Sequence, residues 1–376
     1  MWYQRYYEQK IEDYLKPGKV FVLYGLRRTG KTSLIQKFLS SYSGKYFLGS
    51  GEDMTLAEIF HSQSIQRMRS SFESYDLVVI DEAQHIPEVG RGLKILVDHL
   101  PEIKVIASGS SSFDLSNKLG EPLTGRQRIG TLYPLSMLEI KDQFGPMEIA
   151  QRLEEFMIFG TFPEVLNLKG KTEKIEHLLS LRDSYLLKDL LMLENIRNSS
   201  KLNALLKLLA FQIGREVSLN ELSNSLDVAK STVERYLDLF EKVFIIKKVG
   251  GFYRNLRKEV IKTNRYYFCD NGIRNALINN FNYLDSRDDV GMLWENFILN
   301  ERLKRNTYQR HYANYYFWRT YDRKEIDFVE EYGGELWGYE FKWGEKSSTA
   351  PKDWIETYVS AHFETINRSN FLDFVT

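Results

Sequence analysis

The sequence predicts an α/β fold followed by further modules, and three observations support this. The chain has 376 residues, more than a single hydrophobic core usually holds. An apolar run at residues 20–24 leads into a glycine-containing loop and then into a segment with helical spacing. A second apolar run, at residues 77–80, ends in two adjacent acidic residues. Strand, loop and helix in this succession predict a sheet whose functional loops follow the carboxyl ends of its strands.

Composition and charge narrow the class of protein. Hydrophobic residues make up 43% of the chain and aromatic residues 14%, which is enough for packed cores. Basic and acidic residues number 51 each, so no overall charge draws the chain to nucleic acid or to anionic lipid. The single cysteine, Cys269, excludes an internal disulfide and is expected to be buried. No run of about 18 uncharged residues is present, so we expect a cytoplasmic protein without a membrane span.

The loop after the first strand has the spacing of a phosphate-binding loop. The pattern G-x-x-x-x-G-K-[ST] is matched in full by "GLRRTGKT". Glycines in such a loop let backbone N–H groups turn toward phosphate oxygens at the start of a helix, while the lysine neutralises phosphate charge and the threonine hydroxyl reaches Mg²⁺. The predicted ATP-binding residues are Gly25, Leu26, Arg27, Arg28, Thr29, Gly30, Lys31 and Thr32.

The acidic pair that ends the second apolar run has the features of a Walker B motif. In "DLVVIDEAQHIP", Asp81 is predicted to hold Mg²⁺ together with Thr32, and Glu82 is predicted to be the general base that polarises the attacking water. These residues indicate hydrolysis of ATP as well as binding. A third strand, "IKVIAS", ends in "SGSSS", where Ser108 or Ser110 is a candidate sensor of the γ-phosphate, although serine and glycine after a strand also form ordinary turns.

Several stretches together resemble a known family. The sequences "LYGLRRTGKTSL", "VVIDEAQHIP", "IASGSSS" and "LTGR" followed by "YPLSMLEI" resemble the prokaryotic AAA-like ATPases that carry a C-terminal domain of uncharacterised function. "FGTFPEV" and "RYYFCDNGIRNAL" extend the resemblance over nearly the whole chain. In that family the Gly-Arg step is thought to supply an arginine near the γ-phosphate. The resemblance therefore implies a catalytic role for Arg126, acting in its own chain or from a neighbouring subunit.

The middle of the chain is predicted to be helical and to contain a helix-turn-helix. Residues from about 147 to 214 alternate apolar and charged positions at helical spacing. "SLNELSNSL" begins with a capping box, and after the turn "DVAK" a second helix leads into an apolar strand and a wing candidate, "KKVGGFYRNLRK". Residues 201–270 contain 13 basic and 8 acidic residues, a net charge of +5. A winged helix of this kind either binds DNA or packs against protein. The predicted DNA-facing residues are Lys230, Ser231, Thr232 and Arg235.

The C-terminal part contains charged residues in an order typical of nuclease-like domains. In "KEIDFVEEYGGELWGYEFKWG", two strands flank a glycine turn, so Glu340 and Lys342 share one face and the aromatic residues beside them share the other. Asp327 lies across the hairpin, and the helix "GMLWENFILNERL" contributes Glu295. This order is the PD-(D/E)XK pattern, in which carboxylates hold Mg²⁺ and the lysine positions water, although Ile326 stands in place of the proline. The alternative is a cross-strand salt bridge on a solvated face.

These predictions combine into three α/β or helical domains. We expect a P-loop ATPase core of AAA-like, ASCE type at residues 1–145, a helical and winged-helix module at 146–270, and an α/β restriction-endonuclease-like domain at 271–376. The expected ligands are ATP and Mg²⁺, and the expected partners are DNA, other proteins or a second copy of the chain. An ATP-hydrolysing switch or motor is the leading hypothesis, and a regulatory ATPase scaffold with an inactive nuclease-like domain is the alternative.

Overall fold

The computed structural model describes residues 1–109, 123–183, 199–252, 264–320, 324–358 and 360–376. These residues form two compact units. The N-terminal unit comprises Trp2–Pro134 and Lys242–Phe244, and the C-terminal unit comprises Met1, Leu135–Glu241 and Ile245–Thr376. The division after Pro134 comes earlier than the boundary predicted at residue 145, because the helix at Met137–Lys141 packs against other helices of the C-terminal unit.

A five-stranded sheet forms the centre of the N-terminal unit. Its strands are β1 (Val20–Tyr24), β2 (Tyr46–Ser50), β3 (Leu77–Asp81), β4 (Lys104–Gly109) and β5 (Gln127–Thr131). They lie in the order β2-β3-β4-β1-β5, and every pairing is parallel. β1, β3 and β4 are almost wholly buried, which explains why their sequences are continuous apolar runs without alternation.

Helices before and between the strands complete the core of this unit. They are α1 (Ile11–Tyr14), α2 (Lys31–Leu39), α3 (Met54–His61), α4 (Ile65–Phe72) and α5 (Val89–His99), with a 3-10 turn at Ala83–His85. Val78 and Val105 of the sheet belong to the same buried cluster as Phe60 of α3 and Leu93 and Val97 of α5. Burial of the apolar sides of α3 and α5 in this cluster holds them to the sheet.

The strand order brings the sequence motifs to one edge of the sheet. Because the strands are parallel, the segments that follow β1, β3 and β4 leave the sheet at the same edge. β4 lies between β1 and β3. The loop after β1 and the acidic pair at the end of β3 are therefore two strand spacings apart, about 10 Å.

The C-terminal unit is rich in helices. They are α6 (Met137–Lys141), α7 (Pro146–Phe159), α8 (Pro163–Asn167), α9 (Lys171–Leu181), α10 (Ser199–Phe211), α11 (Leu219–Leu226), α12 (Lys230–Lys242), α13 (Asn271–Ile278), α14 (Val290–Gln309), α15 (Lys352–Thr357) and α16 (Phe371–Val375), with a 3-10 turn at Leu284–Ser286. Cys269 is buried as a free thiol, as the sequence predicted. In the described part of the chain, no helix combines the length and apolarity that crossing a bilayer requires.

A seven-stranded sheet runs through the C-terminal unit. Its strands are β6 (Glu216–Val217), β7 (Ile246–Gly251), β8 (Asn264–Phe268), β9 (Asn314–Arg319), β10 (Glu325–Tyr332), β11 (Glu335–Phe341) and β12 (Ala361–Ile366), in the order β12-β11-β10-β9-β7-β8-β6. β7 pairs with β9 in parallel, through Gly250 with Tyr316 and Gly251 with Phe317. The segments that the sequence analysis separated at residue 270 therefore share one sheet.

The first part of this sheet carries the helix-turn-helix. α10, β6, α11, α12, β7 and β8 follow one another along the chain, and β8 lies between β6 and β7, antiparallel to both. α11 begins after Ser218, whose hydroxyl accepts the Glu221 N–H at 3.3 Å. The turn 227–229 then separates α11 from α12. The two predicted helices are present, and the second half of the wing candidate, residues 253–258, lies outside the described residues.

The second part contains the predicted hairpin. α14, β9, β10, β11, α15 and β12 follow in that order, with β9, β10 and β11 antiparallel and β12 parallel to β11. The turn between β10 and β11 contains Gly333 and Gly334, with φ of +61° and +86°. Both values lie in the region that glycine adopts without strain, which explains the "YGGE" sequence.

Two stretches of the family resemblance, "FGTFPEV" and "CDNGIRNAL", meet in a buried polar network of the C-terminal unit. The Asp270 carboxylate caps α13 and accepts the Thr161 N–H at 2.8 Å. Gly160 has a φ of +72°, and a Cβ atom there would collide with this carboxylate. Lys304 donates to Glu301 Oε1 at 2.7 Å and to the Thr161 hydroxyl at 3.2 Å. Buried polar groups of this kind need these partners, which explains the sequence of both stretches.

Candidate functional site

The loop after β1 is shaped by two glycines. Gly25 lies against the backbone of Leu132, and a Cβ atom at residue 25 would collide with the Leu132 carbonyl oxygen. Gly30, with a φ of +93°, is the residue before α2 and lies in the left-handed region. The Leu34 N–H donates to the Gly30 oxygen at 2.8 Å, so α2 begins directly at the loop. The N–H groups of the first turn of α2 have no partner within the helix and suit an anion.

The lysine of the loop is held by the loop itself. Lys31 is buried, and its Nζ donates to the carbonyl oxygens of Gly25 and Leu26, at 2.9 Å each. The buried Thr29 hydroxyl donates to the Leu26 oxygen at 2.8 Å. These contacts fix the loop around the ammonium group. Phosphate oxygens carry charge and are stronger acceptors than the two carbonyl oxygens, so they compete well for Lys31.

An arginine that the sequence analysis did not single out also supports the loop. Arg5 is 3% exposed, and its guanidinium donates from Nη1 to the Thr29 oxygen and from Nη2 to the Tyr133 oxygen, the latter at 2.7 Å. A guanidinium can satisfy two carbonyl groups at once because its donors form a rigid fork. Tyr3 and Tyr7 beside it in sequence are also buried, so the N-terminal segment is part of the packed unit. An arginine among aromatic residues in "WYQRYY" was the only signal for this contact.

Asp81 at the end of β3 joins the predicted polar residues. The Thr32 hydroxyl donates to Asp81 Oδ2 at 2.5 Å, and the Ser108 hydroxyl donates to Asp81 Oδ1. Thr32 lies at the start of α2 and Ser108 lies near the end of β4, so three elements converge on one carboxylate. The two residues predicted to hold Mg²⁺ are therefore adjacent. The alternative serine, Ser110, lies outside the described residues.

Glu82 has an unusual backbone conformation that its neighbours support. Its φ of 50° and ψ of 43° are left-handed, which is uncommon for a residue other than glycine and is typical of functional sites. The buried Gln84 donates from Nε2 to Glu82 Oε2. Gly51 packs so closely against the Glu82 carbonyl group that a Cβ atom at residue 51 would collide with that group. The Gly51 N–H donates to the Asp81 backbone oxygen at 2.7 Å. The side chain and the backbone of Glu82 are thus both held.

Arg126 does not join this group within its own chain. Its carbonyl oxygen accepts the Val20 N–H at 2.8 Å, which places it beside the beginning of β1, whereas the loop follows the end of β1. The strand separates the two by about 13 Å. Arg126 instead donates from Nε to Asp98 Oδ1 at 2.5 Å. The expectation that Arg126 acts on the nucleotide of its own chain is therefore wrong, because the parallel register puts it at the opposite edge of the sheet. Its action on a neighbouring subunit stays a prediction.

In the C-terminal unit, two of the predicted nuclease-like residues contact an arginine that the sequence analysis did not include. Glu295 lies in α14 and Asp327 lies in β10. Arg265 of β8 contacts both, with Nη1 3.5 Å from Glu295 Oε1 and 3.9 Å from Asp327 Oδ1. Its Nη2 donates to Glu325 Oε2 at 2.9 Å. The Tyr267 hydroxyl donates to Glu295 Oε1 at 2.7 Å. We call these five residues the acidic cluster.

The other two predicted residues of this region form an ion pair beside the acidic cluster. Lys342 donates from Nζ to Glu340 Oε1 at 2.6 Å. The N–H of Phe341, between them, donates to Asp327 Oδ2 at 2.8 Å. Across the described ranges, no three acidic, histidine or cysteine side chains are arranged to hold a metal ion. The structure thus brings the predicted residues to one region, but their arrangement does not fit a divalent cation.

Burial raises the pKa of the two central carboxyl groups. Burial and the charge of Asp327 raise the pKa of Glu295 to about 8, although the positive charge of Arg265 by itself lowers this pKa. Burial and the charge of Glu340 raise the pKa of Asp327 to about 7. Burial alone lowers the pKa of Arg265, but Tyr267 and the surrounding carboxyl groups raise it by more, so the guanidinium stays charged. The acidic cluster therefore contains a permanent cation and two carboxyl groups that take up protons near neutral pH.

The predicted DNA-facing side chains lie in the first two turns of α12. Lys230, Ser231 and Arg235 are exposed, and Thr232 is half-buried. Lys230 and Arg235 line a groove of about 710 Å³ together with Glu234 and Asp238 of the same helix. The charge of this groove is therefore mixed. Four of the 13 basic residues counted for 201–270 belong to 253–263, outside the described residues.

Comparison with known families supports the ATPase part of this description. Residues 17–141 match a family described as an AAA domain, so the chain contains an AAA-type ATPase domain. This match confirms the AAA-like ATPase predicted for the first part of the chain. Residues 150–284 and 290–364 match two families that are described as domains of unknown function. The winged-helix and nuclease-like assignments of these regions stay predictions.

Relatives in other organisms share much of the chain. An uncharacterised protein of Mycobacterium tuberculosis is 27% identical over 272 residues, which are 71% of this chain and 58% of that protein. An uncharacterised protein of Haemophilus influenzae is 26% identical over 358 residues, which are 88% of this chain and 84% of that protein. A solved structure of a Walker-type ATPase of Pyrococcus abyssi has 18% identity and a TM-score of 0.48, and covers 73% of this chain and 94% of its own. The match covers less than two thirds of the length of the mycobacterial relative.

Removal of the Arg5 side chain tests its support of the loop. Arg5→Ala leaves the buried carbonyl group of Thr29 and the partly buried carbonyl group of Tyr133 without this donor. An unsatisfied buried acceptor costs about 1–3 kcal/mol, so we expect the loop to lose order and ATP to bind roughly tenfold more weakly. Fluorescence titration with a labelled ATP analogue measures this. The exposed Arg91→Ala is the matched control, and equal affinities of the two variants would refute the role of Arg5.

The raised pKa of Glu295 predicts a pH-dependent stability. The pKa is about 8 in the folded chain, so between about pH 4.5 and 8 the folded state binds a proton that the unfolded state has released. The resulting stabilisation is complete below about pH 4.5 and is lost as the pH rises through about 8. We expect the free energy of unfolding of the wild type to fall between pH 5 and 8 by about 3 kcal/mol more than that of Glu295→Gln. Urea unfolding at several pH values measures this difference, and parallel pH profiles would contradict the assignment.

Proposed function

We propose that this chain is an ATP-hydrolysing switch that couples nucleotide turnover to a winged helix and a nuclease-like domain. The observation that carries the proposal is the convergence of Thr32, Asp81 and Ser108 at the end of the buried strands, beside a loop with two shape-determining glycines. A loop of this kind offers backbone N–H groups to phosphate, and a carboxylate at the neighbouring strand end suits Mg²⁺. Since the chain spans only part of its mycobacterial relative, the work of the whole protein is part of this proposal.

MgATP binding requires Lys31 to exchange its partners. In the present arrangement its Nζ donates to the Gly25 and Leu26 oxygens. We infer that it turns to the β- and γ-phosphates when MgATP enters, since charged oxygens are the stronger acceptors. Thr32 and Asp81, now hydrogen-bonded at 2.5 Å, are the residues that would hold the Mg²⁺ of the nucleotide. The backbone N–H groups of residues 25–32 supply the remaining phosphate contacts.

Hydrolysis requires a base, and Glu82 is the residue we assign to it. Glu82 follows Asp81 directly in the chain and is half-buried, which supports this assignment. A positioned carboxylate takes a proton from the attacking water in the transition state and contributes about 10²–10⁴-fold to the rate. Gln84 donates to this carboxylate and so orients it. Ser108 contacts Asp81 and is the described candidate for a sensor of the γ-phosphate.

The element order of residues 199–268 supports the winged-helix part of the proposal. A helix-turn-helix followed by two antiparallel strands is the arrangement of winged helices, and β6 adds the short third strand. Exposure of Lys230, Ser231 and Arg235 leaves them accessible to a DNA backbone. The groove beside them also carries Glu234 and Asp238, so the affinity for DNA should be modest and salt-sensitive.

The element order of residues 290–366 supports the nuclease-like fold. One helix, three antiparallel strands, a short helix and a parallel strand follow one another, with Asp327 on the middle strand and Glu340 and Lys342 on or beside the third. The acidic cluster does not fit a divalent cation. This specific observation favours the second candidate function for this region, a regulatory ATPase scaffold whose nuclease-like domain does not cut and instead binds partner proteins.

Two substitutions separate ATP binding from turnover. We expect Lys31→Ala to lose both ATP affinity and hydrolysis, because it removes the ammonium group that meets the phosphates. We expect Glu82→Gln to bind ATP as the wild type does and to hydrolyse it about 10²-fold more slowly, because only the base is lost. Equilibrium binding and phosphate release measure the two effects. The exposed Glu58→Gln in α3 is the control, and wild-type turnover by Glu82→Gln would overturn the base assignment.

A DNA partner is tested by the rate of ATP hydrolysis with and without single- and double-stranded DNA. If the winged helix binds DNA, we expect DNA to stimulate phosphate release several-fold and Lys230→Glu with Arg235→Glu to abolish the stimulation while leaving the basal rate unchanged. Lys207→Glu, an exposed charge reversal in α10, is the matched control. Unchanged rates together with no DNA binding at low salt would favour the scaffold.

A further inference from the structure

We propose that Arg265 takes the place of a divalent cation in the acidic cluster, so that this nuclease-like domain is closed to metal by a side chain of its own. The inference deepens the nuclease-like part of the proposed function and rests on it, because the position of Arg265 is compared with that of the divalent cation in a nuclease-like domain. It is independent of the ATP site. It predicts that replacement of Arg265 by a small neutral residue opens a site for a divalent cation.

The position of Arg265 is the first argument. The residue is 4% exposed, and its guanidinium contacts carboxyl groups from two different elements. Nη1 lies 3.5 Å from Glu295 Oε1 in α14 and 3.9 Å from Asp327 Oδ1 in β10, and Nη2 lies 2.9 Å from Glu325 Oε2 at the start of β10. Its carbon atom Cζ also lies 4.5 Å from the centre of the Phe317 ring. The guanidinium therefore has an aromatic ring on one side and carboxyl oxygens around its edge, where a cation is stabilised most.

The spacing of the carboxyl groups is the second argument. A Mg²⁺ ion binds oxygen ligands at about 2.1 Å and Ca²⁺ at about 2.4 Å, in nearly closed shells of six or more. Around Arg265, the Glu325 oxygen accepts a hydrogen bond at 2.9 Å, and the Glu295 and Asp327 oxygens lie at ion-pair distances of 3.5 and 3.9 Å, all longer than metal–oxygen bonds. The Tyr267 hydroxyl already donates to Glu295 Oε1, and the Phe341 N–H already donates to Asp327 Oδ2. The oxygens are thus arranged for hydrogen bonding to donors.

The sequence of β8 is the third argument. Side chains of a strand alternate between faces, so Arg265 and Tyr267 in "NRYYF" point to the same side. Both contact Glu295. β8 therefore supplies a cation and a hydroxyl donor to one buried carboxyl group. Because arginine keeps its proton at any pH a protein experiences, this cation cannot exchange with the solvent as a bound metal does.

The strongest test measures Mn²⁺ binding to the full chain without nucleotide. Every variant also carries Asp81→Asn, which removes the carboxylate of the ATP site as a ligand. With Arg265 present, we expect no bound Mn²⁺ by electron paramagnetic resonance at concentrations up to about 1 mM, a range that covers weak protein sites, and no shift of the thermal unfolding midpoint relative to EDTA. Bound Mn²⁺ that is lost in Asp327→Asn, or Mn²⁺-dependent cutting of DNA that is lost in Asp327→Asn, would overturn the proposal.

Substitution of Arg265 tests the latent site. We expect Arg265→Ala to lower the unfolding midpoint by several degrees in EDTA, and Mn²⁺ to restore part of this loss. A further Asp327→Asn change should remove the restoration. Arg265→Lys keeps a cation and should show no response to Mn²⁺. A folded Arg265→Ala that binds no Mn²⁺ and gains no stability from it would refute the latent site. If Arg265→Ala does not fold, Arg265→Gln takes its place, because it also removes the cation, and the absence of a Mn²⁺ response there would refute the latent site. Because every variant carries Asp81→Asn, ATP hydrolysis is not a readout of this experiment, and failure of the ATP-site proposal would leave its outcomes unchanged.

Discussion

The hydrogen bonds from Thr32 and Ser108 to the Asp81 carboxylate are the contact on which the candidate ATP site depends. They join the start of α2 to the ends of β3 and β4, three elements that are distant in sequence. The parallel sheet makes this possible, because all its strands deliver their carboxyl ends to one edge. Buried strands without alternation hold that edge in place, and the loop can then present its N–H groups and Lys31 beside a fixed carboxylate. Arg5 and Gln84 add a second set of contacts, to the loop and to Glu82.

The two units of the chain use buried charge differently. In the N-terminal unit, charged side chains near the strand ends contact hydroxyl and carbonyl groups, which exchangeable ligands can replace. In the C-terminal unit, the buried Arg265 contacts Glu295 and Asp327 and pairs with the exposed Glu325. Loss of the guanidinium would favour protonation of Glu295 and Asp327, whose pKa values burial already raises. The first arrangement suits a site that binds and releases a ligand, and the second suits a fixed structural centre.

The sequence predicted the parts of the fold that depend on local patterns. The phosphate loop, the acidic strand end, the helix-turn-helix and the glycine hairpin all follow from residue spacing, and each lies where the spacing indicated. Contacts between distant segments could not be predicted in this way. The family resemblance implied a role for Arg126 at the γ-phosphate, but the strand register places Arg126 at the opposite edge of the sheet. Arg5 and Arg265 were missed because single arginines in apolar surroundings carry no spacing signal. The pairing of β7 with β9 likewise joins segments that composition alone separated at residue 270.

The most direct test of the central claim is a structure of the chain bound to Mg²⁺ and a non-hydrolysable ATP analogue. The account predicts that Lys31 Nζ leaves the Gly25 and Leu26 oxygens for the phosphates, and that a cation separates the Thr32 hydroxyl from Asp81. It also predicts that Glu82 faces the γ-phosphate. A nucleotide bound elsewhere, or one bound at the loop with Lys31 still on the two carbonyl oxygens and Asp81 still on Thr32, would contradict the account.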